Sequence, residues 1–151
     1  MTERLDITID TPEVRRLYEM QRAAYAVEAE LIGFDGIPPL RETFEDFRAC
    51  GETFLVSREN GELAGAVAYE RNGHELEICR LVVDPGHFRR GVASRLLAAL
   101  LEREHDWAVA RTSTGTANAP AVALYRKLGF AETGRREVAP GVSVTLFALR
   151  R

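Results

Sequence analysis

Apolar residues recur along this chain with two different periods, and the period distinguishes strands from helices. Alternating apolar and polar residues predict seven strands. Spacings of three and four residues predict four helices. The predicted strands cover residues 5–9, 53–57, 63–69, 75–83, 107–111, 130–138 and 142–149. The predicted helices cover residues 12–30, 41–50, 92–101 and 119–128.

The order of these elements favours one class of fold. It runs strand, two helices, three strands, helix, strand, helix, two strands, which is typical of an α/β or α+β protein with a mixed sheet. Tight turns at Asn60–Gly61 and Asn72–Gly73 connect the three central strands into a meander. A chain of 151 residues suits one domain and is short for two, so residues 1–151 are predicted to form a single domain.

The last strand of the meander changes phase in its middle. Leu76 and Ile78 point to one face, whereas Leu81 and Val83 have the opposite parity. One extra residue near Cys79–Arg80 would bring both pairs onto the same face, so a β-bulge is predicted there. Bulges interrupt strand pairing and often lie beside active sites.

Composition excludes several classes of protein. Apolar residues make up 46% of the chain and charged residues 28%, as in soluble globular proteins. The longest apolar run, residues 96–101, is too short for a membrane span, and residues 1–10 lack the apolar core of a signal peptide. Cys50 and Cys79 are far apart and form no CxxC pair, so neither a disulfide nor a metal site is expected. A cytoplasmic location follows as the prediction, and the absence of a polybasic run argues against nucleic acid as a partner.

Charge is divided unevenly between the two halves of the chain. Residues 1–75 carry 16 acidic and 8 basic residues, a net of −8. Residues 76–151 carry 7 acidic and 12 basic residues, a net of +5, and the two halves sum to the total of −3. The second half is therefore suited to bind an anion and the first, including Glu28 and Glu42, to attract a cation. Chance surface charge is the alternative.

Residues 81–97, LVVDPGHFRRGVASRLL, join a buried strand to a helix through a turn rich in Arg and Gly. The first turn of a helix presents unpaired backbone N–H groups and the positive end of the helix dipole. Gly91 carries no side chain that would block a phosphate there, and Arg89 and Arg90 add positive charge, so the turn suits a pyrophosphate. Neither a Walker loop nor a GxGxxG fingerprint is present. The alternative is a structural turn with solvated arginines.

Residues 118–130, NAPAVALYRKLGF, form a second informative segment. Asn118 is suited to cap the helix, and Tyr125 follows seven residues later on the same face. Gly129 occupies the position at which helices often end in a left-handed residue. From this segment alone, a capped helix whose tyrosine packs in the core is the favoured interpretation.

These two segments together resemble the acetyl-CoA-dependent N-acetyltransferases of the GNAT superfamily. The family's loop has Gln or Arg, then two residues, Gly, one residue and Gly or Ala, after a strand ending in Val-x-Pro. Val83, Pro85, Gly91 and Ala93 fit this pattern, whereas Phe88 replaces the Gln or Arg. The family's later motif is matched by Asn118, Ala121, Leu124, Tyr125, Lys127, Gly129 and Phe130. Because both motifs occur in the family's order and separation, the pair is far more specific than either alone.

The resemblance implies both a fold and a co-substrate. The fold is a mixed, twisted sheet of about seven strands with a bulged, splayed central pair and about four helices. The co-substrate is acetyl-CoA, whose pantetheine would bind the backbone of Val82 and Val83 and whose arm near the thioester would contact Asn118. Tyr125 would lie near the sulfur. The residues implied to surround the pyrophosphate are Phe88, Arg89, Arg90, Gly91, Val92, Ala93 and Ser94.

The resemblance also implies direct attack of an amine on the thioester, with two residues aiding proton transfer. Tyr125 would protonate the leaving thiolate, because a phenol can donate to a thiolate. Glu77, on the bulged strand, would remove the proton of the amine, directly or through water. Glu75 and Glu137 are alternatives for this base, as is solvent, whereas His87 is assigned to the loop.

Two other functions are compatible with the same residues. One is a non-catalytic module on this fold that senses or binds acyl-CoA. The other is a nucleotide-binding regulatory domain, which would explain the Arg–Gly turn and leave the Asn118 motif unexplained. The predicted partners are acetyl-CoA and a cationic primary amine of a small molecule or peptide, with a homodimer left open and no nucleic acid or membrane involved.

Overall fold

A seven-stranded mixed sheet runs through the molecule in this computed structural model, which describes residues 2–151. The strand order is β1-β2-β3-β4-β5-β7-β6. The strands are β1 (Thr2–Leu5), β2 (Thr53–Glu59), β3 (Glu62–Asn72), β4 (Glu75–Val83), β5 (Val109–Gly115), β6 (Ala131–Ala139) and β7 (Val142–Arg150). The helices are α1 (Pro12–Ile32), α2 (Pro38–Arg41), α3 (Phe44–Arg48), α4 (Val92–Arg103) and α5 (Ala119–Lys127). The predicted fold class is confirmed, with five α-helices instead of about four.

The predicted bulge is present in β4. Ala68 of β3 pairs with Arg80, but the next residue, Tyr69, pairs with Ile78, so Cys79 has no partner across the β3–β4 ladder. The extra residue reverses the parity of β4 at this point. The β-bulge inferred from the phase change is therefore confirmed.

Strands β4 and β5 separate along most of their length. They are the one parallel pair in the sheet of the described residues, and their pairing runs only from Glu75 opposite Val109 to Glu77 opposite Arg111. Beyond Glu77, β4 continues to Val83 without pairing to β5. The sheet is thus splayed at its centre, directly beside the bulge.

Two hydrophobic cores lie on opposite faces of this sheet. One packs α4 and α5 against it, with Leu76 and Ile78 of β4 buried and Leu81 and Val83 packed against them. The other packs α1 and α3 against the opposite face, and Val82 belongs to it. The bulge lets β4 contribute apolar side chains to the first core on both sides of Cys79.

The first strand is shorter than predicted. It ends at Leu5, and the Asp6 carboxylate then accepts hydrogen bonds from the backbone N–H of Thr8 at 2.9 Å and from its hydroxyl at 2.6 Å. This local turn competes with strand pairing. Ile7 is nevertheless buried, whereas Ile9 is 59% exposed, so the alternation reflects only part of the burial.

Two other predicted boundaries were wrong. The helix predicted over 41–50 is α3 alone, because Thr43 and Asp46 form a capping box that starts a helix only at Phe44. The strand predicted over 107–111 begins at Val109 and extends to Gly115. Trp107 precedes it and donates a hydrogen bond from Nε1 to the Leu101 carbonyl, which ties it to the end of α4. Within residues 2–151, no helix has the length and apolar character needed to cross a membrane.

Candidate active site

A cavity of about 540 Å³ lies among α1, the C-terminal half of β4, the start of α4 and the first turns of α5. Its volume is within the range of small-molecule sites. It lies on the part of β4 that does not pair with β5, so the splay of the sheet provides its floor. The segments singled out in the sequence therefore meet at one place.

Most of the residues predicted to bind a cofactor line this cavity. Two do not: Arg90 and Tyr125. Those that do are Val82, Val83, Phe88, Arg89, Gly91, Val92, Ala93, Ser94 and Asn118. Residues from the strand, the loop and α5 are brought together although 36 positions separate the first from the last.

The start of α4 leaves its backbone donors free. Gly91 is the N-cap, with φ 74° and ψ 15°, and it provides no side-chain hydrogen bond to the first turn. Arg89, two residues earlier, also has a left-handed backbone, with φ 64°. Such a conformation is costly for a residue other than glycine, and it clusters at ligand-binding turns. Unpaired N–H groups at a helix start bind anions.

One acidic residue fixes the arginines around this turn. Glu59 lies 3.4 Å from Nη1 of Arg90 and 3.0 Å from Nη2 of Arg95. Arg95 also donates from Nη1 to the Arg90 carbonyl at 2.7 Å. Arg90 is therefore held away from the cavity, which is the physical reason that it does not line it as predicted. His87 lies in a single 3₁₀ turn and contacts Asp84 at 2.9 Å, in the loop position expected for it.

Helix α5 presents one face to the cavity and the other to the core. The Asn118 side chain accepts a hydrogen bond from the Ala121 N–H at 3.3 Å, and Ala121 and Leu124 line the cavity. Tyr125 is only 4% exposed and packs edge-to-face on Phe130, with ring centroids 5.4 Å apart. Burial raises the pKa of Tyr125 to about 12, against the opposing effect of the neighbouring Thr112 hydroxyl. The phenol therefore keeps its proton at neutral pH.

The three carboxylates considered as bases lie outside the cavity lining. Glu77 is exposed on β4, directly opposite Glu70 of β3, and partial burial raises its pKa. Glu75 lies 3.3 Å from Arg111. Glu137 accepts a hydrogen bond from the Gly141 N–H at 3.2 Å in the last hairpin. Across residues 2–151, no group of three or more His, Cys, Asp or Glu side chains is placed to hold a metal ion.

Helix α1 was not expected to contribute catalytic or cofactor-binding residues to the site. Five of its residues line the cavity: Ala24, Tyr25, Val27, Glu28 and Leu31. Their spacing of three and four residues was a detectable signal, because it places Glu28 on the same helix face as Tyr25 and Leu31. A carboxylate on an otherwise apolar stripe is unusual, and the sequence analysis counted Glu28 only as part of the acidic half.

A sequence profile of the acetyltransferase (GNAT) family matches residues 14–130. The chain belongs to this family. The match covers the loop of residues 81–97 and the segment from Asn118 to Phe130, and so confirms the resemblance inferred from those two motifs. The splay between β4 and β5 matches the splayed central pair that this resemblance implied.

Curated relatives of this GNAT chain include proteins of different length. The UPF0157 protein YqkA of Bacillus subtilis (strain 168) is 41% identical over 135 residues, which cover 89% of this chain and 39% of that protein. N-alpha-acetyltransferase RimI of Mycobacterium tuberculosis is 33% identical over 123 residues, covering 78% and 76%. Streptothricin acetyltransferase of Streptomyces lavendulae is 36% identical over 90 residues, covering 57% and 48%. The chain thus spans about two fifths of the Bacillus protein.

Solved structures share the GNAT fold at low sequence identity. The ribosomal-protein-S18-alanine N-acetyltransferase of Escherichia coli superposes with a TM-score of 0.78 at 21% identity, covering 99% of this chain and 94% of that chain. PaiA N-acetyltransferase of Thermoplasma acidophilum, solved with coenzyme A, gives a TM-score of 0.76 at 16% identity, covering 100% and 99%. These likenesses concern the fold, and they span all of its strands.

Proposed function

We propose that this chain transfers an acetyl group from acetyl-CoA to a primary amine of a small molecule or peptide. The observation that carries the proposal is the cavity, which joins the uncapped start of α4 to Asn118 and the splayed end of β4. The helix start suits the pyrophosphate, the unpaired backbone of β4 suits the pantetheine, and Asn118 suits the thioester end of the same molecule. Membership of the GNAT family supports the same assignment.

The residues present fit acetyl-CoA. The N–H groups that follow Gly91 are free to bind the pyrophosphate. The left-handed backbone at Arg89 and Gly91 shapes the loop in front of these N–H groups. The unpaired edge of β4 at Val82 and Val83 offers backbone groups to the amides of the pantetheine arm. Asn118 is available to contact the arm near the thioester. Among the residues predicted to bind the pyrophosphate, Arg90 alone is proposed to act indirectly, through its ion pair with Glu59.

The proposed chemistry needs one proton removed and one supplied. The free amine attacks the thioester carbonyl carbon, the C–N bond forms, and the C–S bond breaks. Tyr125 donates its proton to the departing thiolate, which its protonated state at neutral pH allows. For removal of the amine proton the sequence predicts Glu77, with Glu75, Glu137 or solvent as alternatives.

The acceptor is proposed to be a cationic amine. The acidic half of the chain includes α1, whose residues form one wall of the cavity, so the acceptor would approach on that side. Two amines follow from the names of relatives: a peptide α-amine, as for RimI, and streptothricin. The proposed location is the cytoplasm, and a homodimer is left as a proposal.

Replacing Tyr125 with phenylalanine tests the reaction. Tyr125→Phe keeps the packing on Phe130 and removes only the hydroxyl, so calorimetry should give unchanged acetyl-CoA affinity. Turnover, measured by thiol release, should fall about 100-fold, as expected for loss of a general acid. If turnover is unchanged while the chemical step is rate-limiting, Tyr125 has only a packing role in the core.

A non-catalytic acyl-CoA sensor is the second candidate, favoured by the deep burial of Tyr125 in the core. It predicts binding of acetyl-CoA without acetyl transfer to any amine. A thermal-shift comparison of acetyl-CoA, CoA, ATP and NAD distinguishes the acetyltransferase and the acyl-CoA sensor from a nucleotide-binding domain. Stabilisation by ATP or NAD alone would contradict the proposed function.

A further inference from the structure

Glu28 differs from every other acidic residue of the chain in its position. Within the part of the chain that the structure describes, it is the one carboxylate that lines the cavity. It is half-buried, on the face of α1 that looks onto the splay of β4 and β5. The three carboxylates considered from the sequence do not line that space. The position of Glu28 therefore calls for a role in the site itself.

The groups around Glu28 are neutral. Burial raises the pKa of its carboxyl, while the Asn118 and Thr114 side chains and the Gly115 backbone lie beside it and oppose the rise. Helix α1 approaches β5 closely one turn further on, because a Cβ on Gly115 would lie 2.8 Å from Cγ2 of Ile32. Among residues 2–151, no cationic side chain belongs to the groups that shift the pKa of Glu28, so this half-buried carboxylate lacks the cation that usually compensates such a charge.

The neighbouring titratable groups come from three elements. Tyr25 of α1 and Tyr125 of α5 are both close enough for the charge of Glu28 to raise their pKa values. Arg80 of β4 has the opposite effect on Tyr25. His87 and Arg89, in the loop before α4, line the same cavity. Strand β5 contributes Thr114 and Gly115, which are neutral. Glu28 is thus the carboxylate that α1 places on the cavity wall, where it is available to accept a proton.

We infer that Glu28 binds the ammonium group of the acceptor and receives its proton, in place of the exposed Glu77. This inference rests on the proposed function. An ammonium supplies the positive charge that Glu28 lacks. Glu28 is then a catalytic residue, because it contacts the reacting nitrogen.

The proton balance closes with residues of this site. The Glu28 carboxylate takes a proton from the ammonium, and the nitrogen lone pair attacks the thioester carbonyl carbon. The C–N bond forms, the C–S bond breaks, and the thiolate takes the proton of the Tyr125 hydroxyl. The second proton of the amide nitrogen is released, Tyr125 regains its proton, and Glu28 returns to its carboxylate, so that one ammonium and one thioester give one amide, one thiol and one proton.

The test compares Glu28→Gln with Glu30→Gln, an exposed carboxylate on the same helix. Acetyl-CoA is combined with three amines, namely an alanine-initial peptide, streptothricin and spermidine, and thiol release is followed from pH 6.5 to 10 for the amine that the wild type acetylates fastest. Glu28→Gln should bind CoA as the wild type does, yet kcat/KM at pH 7 should fall about 100-fold. This deficit should shrink as pH rises, because free amine then forms without a base. Glu30→Gln should match the wild type.

Glu28→Asp provides a second variant if Glu28→Gln melts early. A shorter carboxylate should keep the pH profile of the wild type at a lower rate, which a purely structural role does not predict. A loss that is equal at every pH, wild-type rates in Glu28→Gln, or pH-dependent rescue in Glu77→Gln instead, would each overturn the inference and leave the proposed function standing. If the wild type binds acetyl-CoA and acetylates none of the amines, the proposed function fails, and the inference with it.

Discussion

The two faces of the sheet build their parts of the site in different ways. On the face covered by α4 and α5, the proposed anion site consists of backbone groups placed by a short local segment around Gly91. On the face covered by α1, side chains from distant parts of the chain meet. Arg80 of β4 contacts Gln21, Glu42 and Glu52, at 2.9, 2.7 and 2.9 Å. The first arrangement is local in sequence and the second is not.

The Arg80 cluster shows what the α1 face gains. The guanidinium is 7% exposed, and it lies 5.6 Å from the ring centroid of Phe47. Burial alone would lower the pKa of Arg80, but its hydrogen bonds to Glu42 and Glu52 raise it above the ordinary value. These contacts tie α1 and the segment before β2 to the residue that follows the bulge. The α1 wall of the cavity is therefore positioned by hydrogen bonds and ion pairs around Arg80, and the α4 side by helix geometry.

The largest effect is expected from breaking this cluster. Arg80→Leu leaves the largely buried Glu42 and Glu52 carboxylates without a counter-charge, so the free energy of unfolding should fall by about 3–5 kcal/mol. Arg111→Leu, which removes an arginine 40% exposed on β5, should change it by less than about 1 kcal/mol. Urea denaturation measures both.

A triple variant separates charge from packing at this cluster. Adding Glu42→Gln and Glu52→Gln to Arg80→Leu removes the unpaired charges, and so should recover part of the lost stability. If Arg80→Leu costs no more than Arg111→Leu, the α1 face does not depend on charge pairing, and the contrast between the two faces disappears.

The sequence predicted the face covered by α4 and α5 better than the α1 face, for a physical reason. Gly91, Asn118 and the parity change at Cys79 act through neighbours in the chain, and such effects leave a readable spacing. Helix α5 was predicted with both ends, because its cap and its final glycine are local signals too. The residue that a motif names need not line the cavity, however, as Arg90 demonstrates through its contact with Glu59.

The α1 face could not be predicted in the same way. Nothing near Arg80 in the sequence indicates Gln21, Glu42 or Glu52, because these contacts span 28 to 59 positions. The strand predicted to continue through Ile9 ends early for a different, local reason: the Asp6 carboxylate bonds the Thr8 N–H, and the alternating pattern of apolar residues does not show this turn. Glu28 was visible as a carboxylate on an apolar stripe, but only the fold shows which cavity that stripe faces.

The next largest effect is expected on acetyl-CoA affinity, at the start of α4. Gly91→Glu adds negative charge where the pyrophosphate is proposed to bind, so acetyl-CoA affinity should fall about 100-fold in calorimetry. Gly91→Gln is the matched control, since it has the same bulk and the same cost at φ 74° without the charge, and its loss should be clearly smaller. Equal losses in the two variants would show that the start of α4 does not hold an anion.

The smallest effect uses the thiol of Cys79 to report on the acidic side of the splay. Burial raises the pKa of Cys79 to about 12, with added contributions from Glu52, Glu70 and Glu77, although its side chain is exposed to reagents. Because only the thiolate reacts, a Cys50→Ser protein should react with iodoacetamide at pH 8 at least about tenfold more slowly than glutathione.

Steric blocking would give a rate that levels off with pH as glutathione does, whereas a raised pKa keeps the rate increasing up to pH 10. Glu77→Gln should accelerate the reaction at pH 8, since it removes one of the charges that oppose the thiolate. A rate equal to that of glutathione would contradict the raised pKa of Cys79, and an unchanged rate in Glu77→Gln would show that this carboxylate does not contribute to it.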